Sequence, residues 1–251
     1  MRIDAHAHLG SWIVDGRDYG YDKNKMKKEM KKFKIDKTCL LPVGLDKLFK
    51  IPEIRKRRPD NNFILEMCEK EDSLIPIFWV NPFNKEEIIQ ALNGGFKGLK
   101  YHAEVHLIPI SDKILEFAVE SAKEFKVPFF VHTNESSENT SIFRVQEVAE
   151  KYPEVNFLAL HSINKVNTTC FEAKKRKLYD IDNIYYCTGG RSLFLEFKMI
   201  YENVGPNHIV FSTDSPFGHP EIFIKNIELL TDDRKERKMI FGANIQKILK
   251  L

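Results

Sequence analysis

Short apolar runs bounded by turn-forming residues recur eight times along the chain, at 3–9, 38–43, 74–80, 98–103, 128–133, 156–162, 184–188 and 209–213. Between them the apolar period lengthens to that of a helix. Residues 112–126 place Ile114, Leu115, Ala118, Val119 and Ala122 on one stripe behind Ser111 as cap, and 141–151 repeat the pattern with Phe143, Val145 and Val148. Strand then helix, repeated, predicts a parallel sheet with crossover helices. Eight such units in 251 residues, with no GxGxxG turn after the first run, predict an α/β fold of the (β/α)8 TIM barrel kind rather than an open doubly wound sheet. The stretch 45–72 reads as one crossover filled by two helical pieces broken around Arg58 and Pro59. No repeat, low-complexity tract or linker divides the chain, so 1–251 is expected to form one domain.

In a barrel of this kind the functional face is the C-terminal end of the strands. The first run ends in His6-Ala7-His8, the fourth in Lys100-Tyr101-His102, the fifth in His132, the sixth in His161 and the eighth in Asp214. Five of the eight histidines thus stand at strand ends; His106, His208 and His219 do not. Side chains two apart on a strand share a face, which groups His6 with His8, Gly98 and Lys100 with His102, Phe157 and Ala159 with His161, and Val210 and Ser212 with Asp214. Each row runs from small or apolar to polar, the order expected of side chains pointing into a barrel. One metal ion can then collect ligands from the first, fifth and eighth strands.

Taken singly, a histidine closing an apolar run is more often a hydrogen-bonded core residue than a ligand. The conjunction changes the weighing. Several imidazoles and a carboxylate at one end of different strands would each need a partner if they were mere packing. Together they are the ligand set of a catalytic zinc or similar divalent ion with one position left for water.

Composition and charge narrow the partners. Lys+Arg 39 against Asp+Glu 36 leaves +3, too small a surplus to demand nucleic acid or an anionic membrane. Much of the positive charge lies at 23–34 and 174–177, where a helix with a solvated lysine face suffices. The four cysteines, Cys39, Cys68, Cys170 and Cys187, form no CxxC pair, so reduced thiols are expected. No window is apolar enough for a spanning helix and the first residues do not read as a secretory signal, which points to a cytoplasmic enzyme. A small molecule is the expected partner, and a homo-oligomer is compatible with the sequence.

The segments IDAHAHLG, GFKGLKYHAE, PFFVHTNES, NFLALHS, IVFSTDSPFGHP and IFGANIQKIL resemble, in order and over nearly the whole chain, the amidohydrolase superfamily. The likeness is to its compact branch of metal-dependent hydrolases and non-oxidative decarboxylases. The resemblance implies that His6, His8 and His132 bind the metal and that Asp214 is both ligand and proton acceptor. It makes His161 either a second-metal ligand or an uncoordinated acid/base and electrophile. Lys100 falls where some members carry a carbamylated lysine between two metals; one ion and an unmodified Lys100 are favoured, with two ions as the alternative. The implied reaction is hydrolysis of an amide, ester or lactone-type bond by water that the metal activates. Lys100, His102 and Arg191 are expected to bind substrate, Arg191 by receiving a carboxylate beside Gly189 and Gly190. Trp12, Arg17, Tyr19 and Tyr21 in the first loop suit a lid, and Glu104, Asn134 and Glu135 are candidate hydrogen-bonding groups.

Three other readings compete. A non-oxidative decarboxylase would use the same ligands on a carboxylated substrate. A TatD-like metal nuclease shares the HxH start and the STDSPFG turn, but Trp79-Val80-Asn81-Pro82 at the third strand end lacks the bridging glutamate expected there. A barrel that binds metal without turnover is the third.

Overall fold

The computed structural model describes residues 1–43, 60–135, 137–161, 166–190 and 193–251. Eight strands follow one another around a parallel barrel: β1 (Ile3–Leu9), β2 (Lys37–Pro42), β3 in two pieces (Leu74–Pro76 and Phe78–Trp79), β4 (Leu99–Tyr101), β5 (Phe129–His132), β6 (Phe157–Leu160), β7 (Ile184–Cys187) and β8 (Ile209–Val210). All eight expected runs are strands, six of them one to three residues shorter than expected. The first piece of β3 pairs with β2 and the second with β4, so β3 joins two sheets into one wall. The wall closes between β1 and β8 through Ala5 N to Phe211 O at 3.0 Å, Asp214 N to His6 O at 2.7 Å and His8 N to Ser215 O at 2.7 Å.

The crossovers carry α1 (Lys23–Phe33), α2 (Asn61–Cys68), α3 (Lys85–Asn93), α4 (Glu116–Phe125), α5 (Ile142–Lys151), α6 (Val166–Lys175) and α7 (Phe194–Val204), with α8 (Pro220–Leu230), α9 (Arg234–Lys238) and α10 (Asn244–Leu249) after β8. The lysine-rich α1 buries Met26 and Met30 and leaves its charges to solvent, as expected. Ahead of α4 the cap is Asp112, which accepts from Ile114 N, and not Ser111; a tight turn at Lys113–Leu115 precedes the α-helix. The expected break at Arg58 and Pro59 lies outside the described residues, and the second expected helical piece is α2. Asn61 of α2 grips Trp79, donating to its carbonyl at 3.0 Å and accepting from its N–H at 2.8 Å. A side-chain amide thus substitutes for a strand partner where β3 ends.

Two apolar layers hold the barrel. Ile3, Ala5, Leu41, Ile75, Phe130, Leu158, Tyr185 and Val210 fill the interior, and Ile245, Ile248 and Leu249 of α10 close its lower end. Ala7, Leu40, Leu99, Phe129, Phe157 and Ile209 point outward and pack under the helices. Each fully buried aliphatic side chain contributes about 1.5–3 kcal/mol over its exposed state. With the lower end plugged, the opposite, C-terminal end is the open one.

Candidate metal centre

The ligand-type side chains gather at that open end around a cavity of about 130 Å3. His6, His8, Lys100, His102, His132, His161 and Asp214 all line it, so the structure brings together the strand-end histidines, Lys100 and Asp214 expected there from sequence. Trp12, Trp79 and Phe217 complete the wall.

Simple strand alternation does not account for three of these placements. On β1, Ile3 and Ala5 face the interior while Ala7 and Leu9 face the helices, so the inward positions run 3, 5, 6 and 8. The slip coincides with a register irregularity between Asp4 and Ala7 on the β1–β2 ladder. On β6 the expected inward row of Phe157, Ala159 and His161 is corrected: Phe157 and Ala159 pack outward and Leu158 and Leu160 inward. His161 reaches the cavity because its φ is +63°, a left-handed conformation that reverses the alternation. Asp214 also has a left-handed backbone, at φ +58°, yet it keeps to the expected inward row that begins at Val210. Its freedom to take that conformation comes from β7, where Thr188 Oγ1 donates to Ser212 O at 2.8 Å, Ser212 N donates back to Thr188 Oγ1 at 2.9 Å, and Ser212 Oγ accepts from Gly189 N at 2.7 Å. Hydroxyls replace the ladder there, and the backbone can bend without orphaning buried groups.

His6, His8 and Asp214 form a tight trio. Asp214 Oδ1 lies 3.5 Å from His6 Nδ1 and 3.2 Å from His8 Nε2. His8 Nδ1 lies 2.8 Å from the Pro42 carbonyl, and a carbonyl only accepts, so Nδ1 carries a hydrogen and Nε2 is the nitrogen left to face Asp214. A nitrogen lone pair against a carboxylate oxygen at this range is repulsive unless a cation, a proton or a metal ion, lies between them. Both ring nitrogens of the 1%-exposed His6 have no hydrogen-bond partner among the described residues. Ligand bonds of about 2.0–2.1 Å in tetrahedral geometry put donor atoms about 3.3 Å apart, which matches the two separations. The residues present fit a divalent ion.

His161 stands beside the trio, its Nδ1 3.2 Å from the Gly189 carbonyl and 3.9 Å from Asp214 Oδ2. The hydrogen is again on Nδ1, and Nε2 is left to exchange protons. His132 faces the cavity from β5, its ring centroid 4.8 Å from that of His161 and its Nε2 3.5 Å from Glu104 Oε2. His102, Glu104 and His132 also approach one another closely enough to suggest a second ion. Ring geometry argues against it: His102 and His132 stack at 3.7 Å with 13° between planes, so their in-plane lone pairs run parallel and do not converge. Trp79 stacks on the other face of His102 at 9°, and the three rings form one pile along the wall.

The enclosure keeps these groups neutral. Desolvation, reinforced by neighbouring cationic groups, holds His6 and His102 well below the usual histidine range. Desolvation takes His132 down to about 3 against the opposing pull of Glu104, and it lowers His161 against Asp214. Desolvation also brings the Lys100 amine down to about 7, with Asp214 opposing. For Asp214 burial alone would raise the pKa, and His161 and His8 outweigh it to leave a carboxylate below its ordinary range. Neutral imidazoles and an ionised carboxylate are the protonation states a metal requires.

Other sequence candidates fall elsewhere. Glu135 accepts from Ser141 Oγ and from Ile142 N at 2.8 Å, so it caps α5. Arg17 and Tyr19 are exposed, and Tyr21 is buried and donates to Glu29. Arg191 lies outside the described residues. Trp79 and Phe217 escaped sequence reasoning as wall residues; Trp79 ends its strand and Phe217 sits three residues past Asp214, the two signals that mark them.

The family model described as amidohydrolase matches residues 3–251. A curated relative, the uncharacterized metal-dependent hydrolase YabD of Bacillus subtilis (strain 168), is 22% identical over 242 residues, covering 89% of this chain and 83% of that protein. Among solved structures, a dihydroxybenzoic acid decarboxylase of Polaromonas sp. JS666 with bound manganese superposes with a TM-score of 0.74 at 16% identity, over 100% of this chain and 97% of the other. A probable 2-pyrone-4,6-dicarboxylic acid hydrolase of Acinetobacter baumannii with citric acid bound gives 0.74 at 13% identity, over 100% and 99%.

Proposed function

The chain belongs to the amidohydrolase family of metal-dependent hydrolases, and from that premise we propose that it is a zinc enzyme of the cytoplasm that hydrolyses an amide, ester or lactone-type bond of a small substrate. The proposed ligands are His6, His8, His132 and Asp214 around one ion. Zinc is the choice because the set is rich in imidazole nitrogen. The observation that carries the reading is His8 Nε2 facing Asp214 Oδ1 at 3.2 Å beside the buried, unpartnered ring nitrogens of His6. Cys39, Cys68 and Cys187 are free thiols, which suits a reducing compartment.

When bound, a divalent ion there supplies Lewis acidity and a water acidified toward neutral pH. The rest of the chemistry belongs to this chain. Asp214 accepts the proton of the attacking water and passes it to the leaving group. His161, its Nδ1–H held by the Gly189 carbonyl, presents the bare Nε2 as a proton acceptor, and it donates to a negatively charged substrate oxygen once that nitrogen has taken up a proton. Lys100 and His102 line the cavity and orient the substrate. The cavity admits the reacting group and little more, while Trp12 and Phe217, whose rings meet at 5.0 Å and 83°, shield its rim from water.

The test is a panel of esters, lactones, amides and carboxylated aromatics on zinc-loaded protein, with acid release and carbon dioxide release followed separately. Turnover of one hydrolysable class that a chelator abolishes and zinc restores is expected. Carbon dioxide release without hydrolysis would replace this reading by decarboxylation, which the Polaromonas neighbour performs by its description on the same architecture. Metal bound with no turnover of any class would leave only the binding-barrel reading.

A further inference from the structure

Asp4 lies beneath the cavity, 2% exposed, and touches none of the cavity atoms that would meet a substrate. Its Oδ1 accepts from His6 N at 3.1 Å and from Thr213 N at 2.9 Å, and its Oδ2 accepts from Thr213 Oγ1 at 2.6 Å. One carboxylate therefore ties the backbone of β1 to a segment 209 residues further along the chain from Asp4. The strand bears His6 and His8; the segment bears Asp214. The bonding continues upward, because Thr213 Oγ1 accepts from Ser215 N at 3.1 Å and lies 2.8 Å from Ser215 Oγ, which donates to Gly218 O at 3.2 Å.

The location of this grip coincides with the slip on β1. Inward-facing positions pass from Ala5 directly to His6, where the ladder to β2 is irregular. A strand that slips in this way leaves a buried N–H without its ladder acceptor, at a cost of about 1–3 kcal/mol. Asp4 removes that cost by accepting from His6 N. A continuous ladder would keep strict alternation, turning His6 and His8 outward with Asp4 and leaving Asp214 without either imidazole.

We propose that Asp4 is the positioning residue of the metal centre: by accepting from His6 N and from Thr213 together, it fixes the slip on β1 and the spacing of His6 and His8 from Asp214. The inference rests on the ligand reading above. It requires the effect of Asp4 to appear in the coordination of the ion as well as in stability.

The experiment uses the full chain loaded with cobalt, whose visible absorption reports coordination geometry, together with zinc affinity by competition. In Asp4→Ala, zinc affinity falls about 10–100-fold, the range for losing a group that orients a ligand, and the cobalt bands shift. Asp4→Asn keeps an oxygen for both N–H groups and restores affinity to within a few-fold. Thr213→Val, which keeps the carboxylate and removes one of its donors, gives an intermediate loss and serves as the deciding variant if Asp4→Ala does not fold. Variants that fold with wild-type zinc affinity and unshifted cobalt bands, with only a lower melting temperature, overturn the proposal. A wild type that takes up neither ion removes the metal centre itself, an outcome separable from failure of Asp4 alone.

Discussion

Replacing Lys100 with methionine should stabilise the metal-free protein while damaging its function. The amine is 1% exposed, and burial brings its pKa to about 7 from an ordinary 10.5. Between those values the unfolded chain binds more protons than the folded one, so wild-type stability rises with pH from about 7 to 10.5 and is lowest at and below about 7. At about 1.36 kcal/mol per pH unit the whole gap is on the order of 5 kcal/mol, about 4 at pH 7 and below about 1 at pH 10. Methionine fills nearly the same volume without a charge, so Lys100→Met recovers most of this. The assay is urea unfolding of chelator-treated wild type and variant, followed by tryptophan fluorescence at several values between pH 7 and pH 10. A gain of several kcal/mol at pH 7 that shrinks toward zero at pH 10 is expected. Equal or lower stability of the variant at pH 7, or a gain that does not depend on pH, would refute the reasoning.

Acid should also unfold the metal-free protein early. His132 at about 3 in the folded chain against an ordinary 6.5 makes stability fall as pH drops through that interval, by about 1.4 kcal/mol per pH unit for each such histidine; a flat profile between pH 6.5 and 4 contradicts the enclosure described. Gly190→Ala places a Cβ 2.2 Å from His161 Nδ1 at a φ of +109°, so turnover should fall at least tenfold while zinc content stays near wild type; unchanged turnover would show that His161 has no chemical role. Asn183 Nδ2 donates to the carbonyls of Ala149, Tyr152 and Val155 at 3.1, 3.1 and 2.9 Å where α5 ends, and Asn183→Ala should cost about 1–3 kcal/mol in urea unfolding with the metal site untouched.

The barrel is legible in the sequence because period-two and period-3.6 stretches alternate eight times and the strands' polar ends all fall on one rim. His6, His8 and Asp214 are legible for the same reason. What the pattern does not reveal is where the backbone departs from it. His161 enters the cavity through a left-handed conformation, and no spacing of apolar residues encodes that, so the row Phe157, Ala159, His161 looks coherent and is not. The slip at Asp4 is hidden because Ala5 and Ala7 look alike in a pattern, though one faces the interior and the other the helices. Glu135 resembles a site residue by its place after β5, and only the fold shows it reaching forward to cap α5. The pile of Trp79, His102 and His132 depends on ring orientation across three neighbouring strands, which linear sequence does not carry.

The central claim is that His6, His8 and Asp214 exist to hold an ion. The most direct measurement is metal per chain by elemental analysis of protein purified without chelator, beside Asp214→Ala and His132→Ala. The account predicts about one equivalent of zinc in the wild type, almost none in Asp214→Ala and a reduced amount in His132→Ala. A folded wild type that holds no metal, even after zinc or manganese is added back, would contradict it.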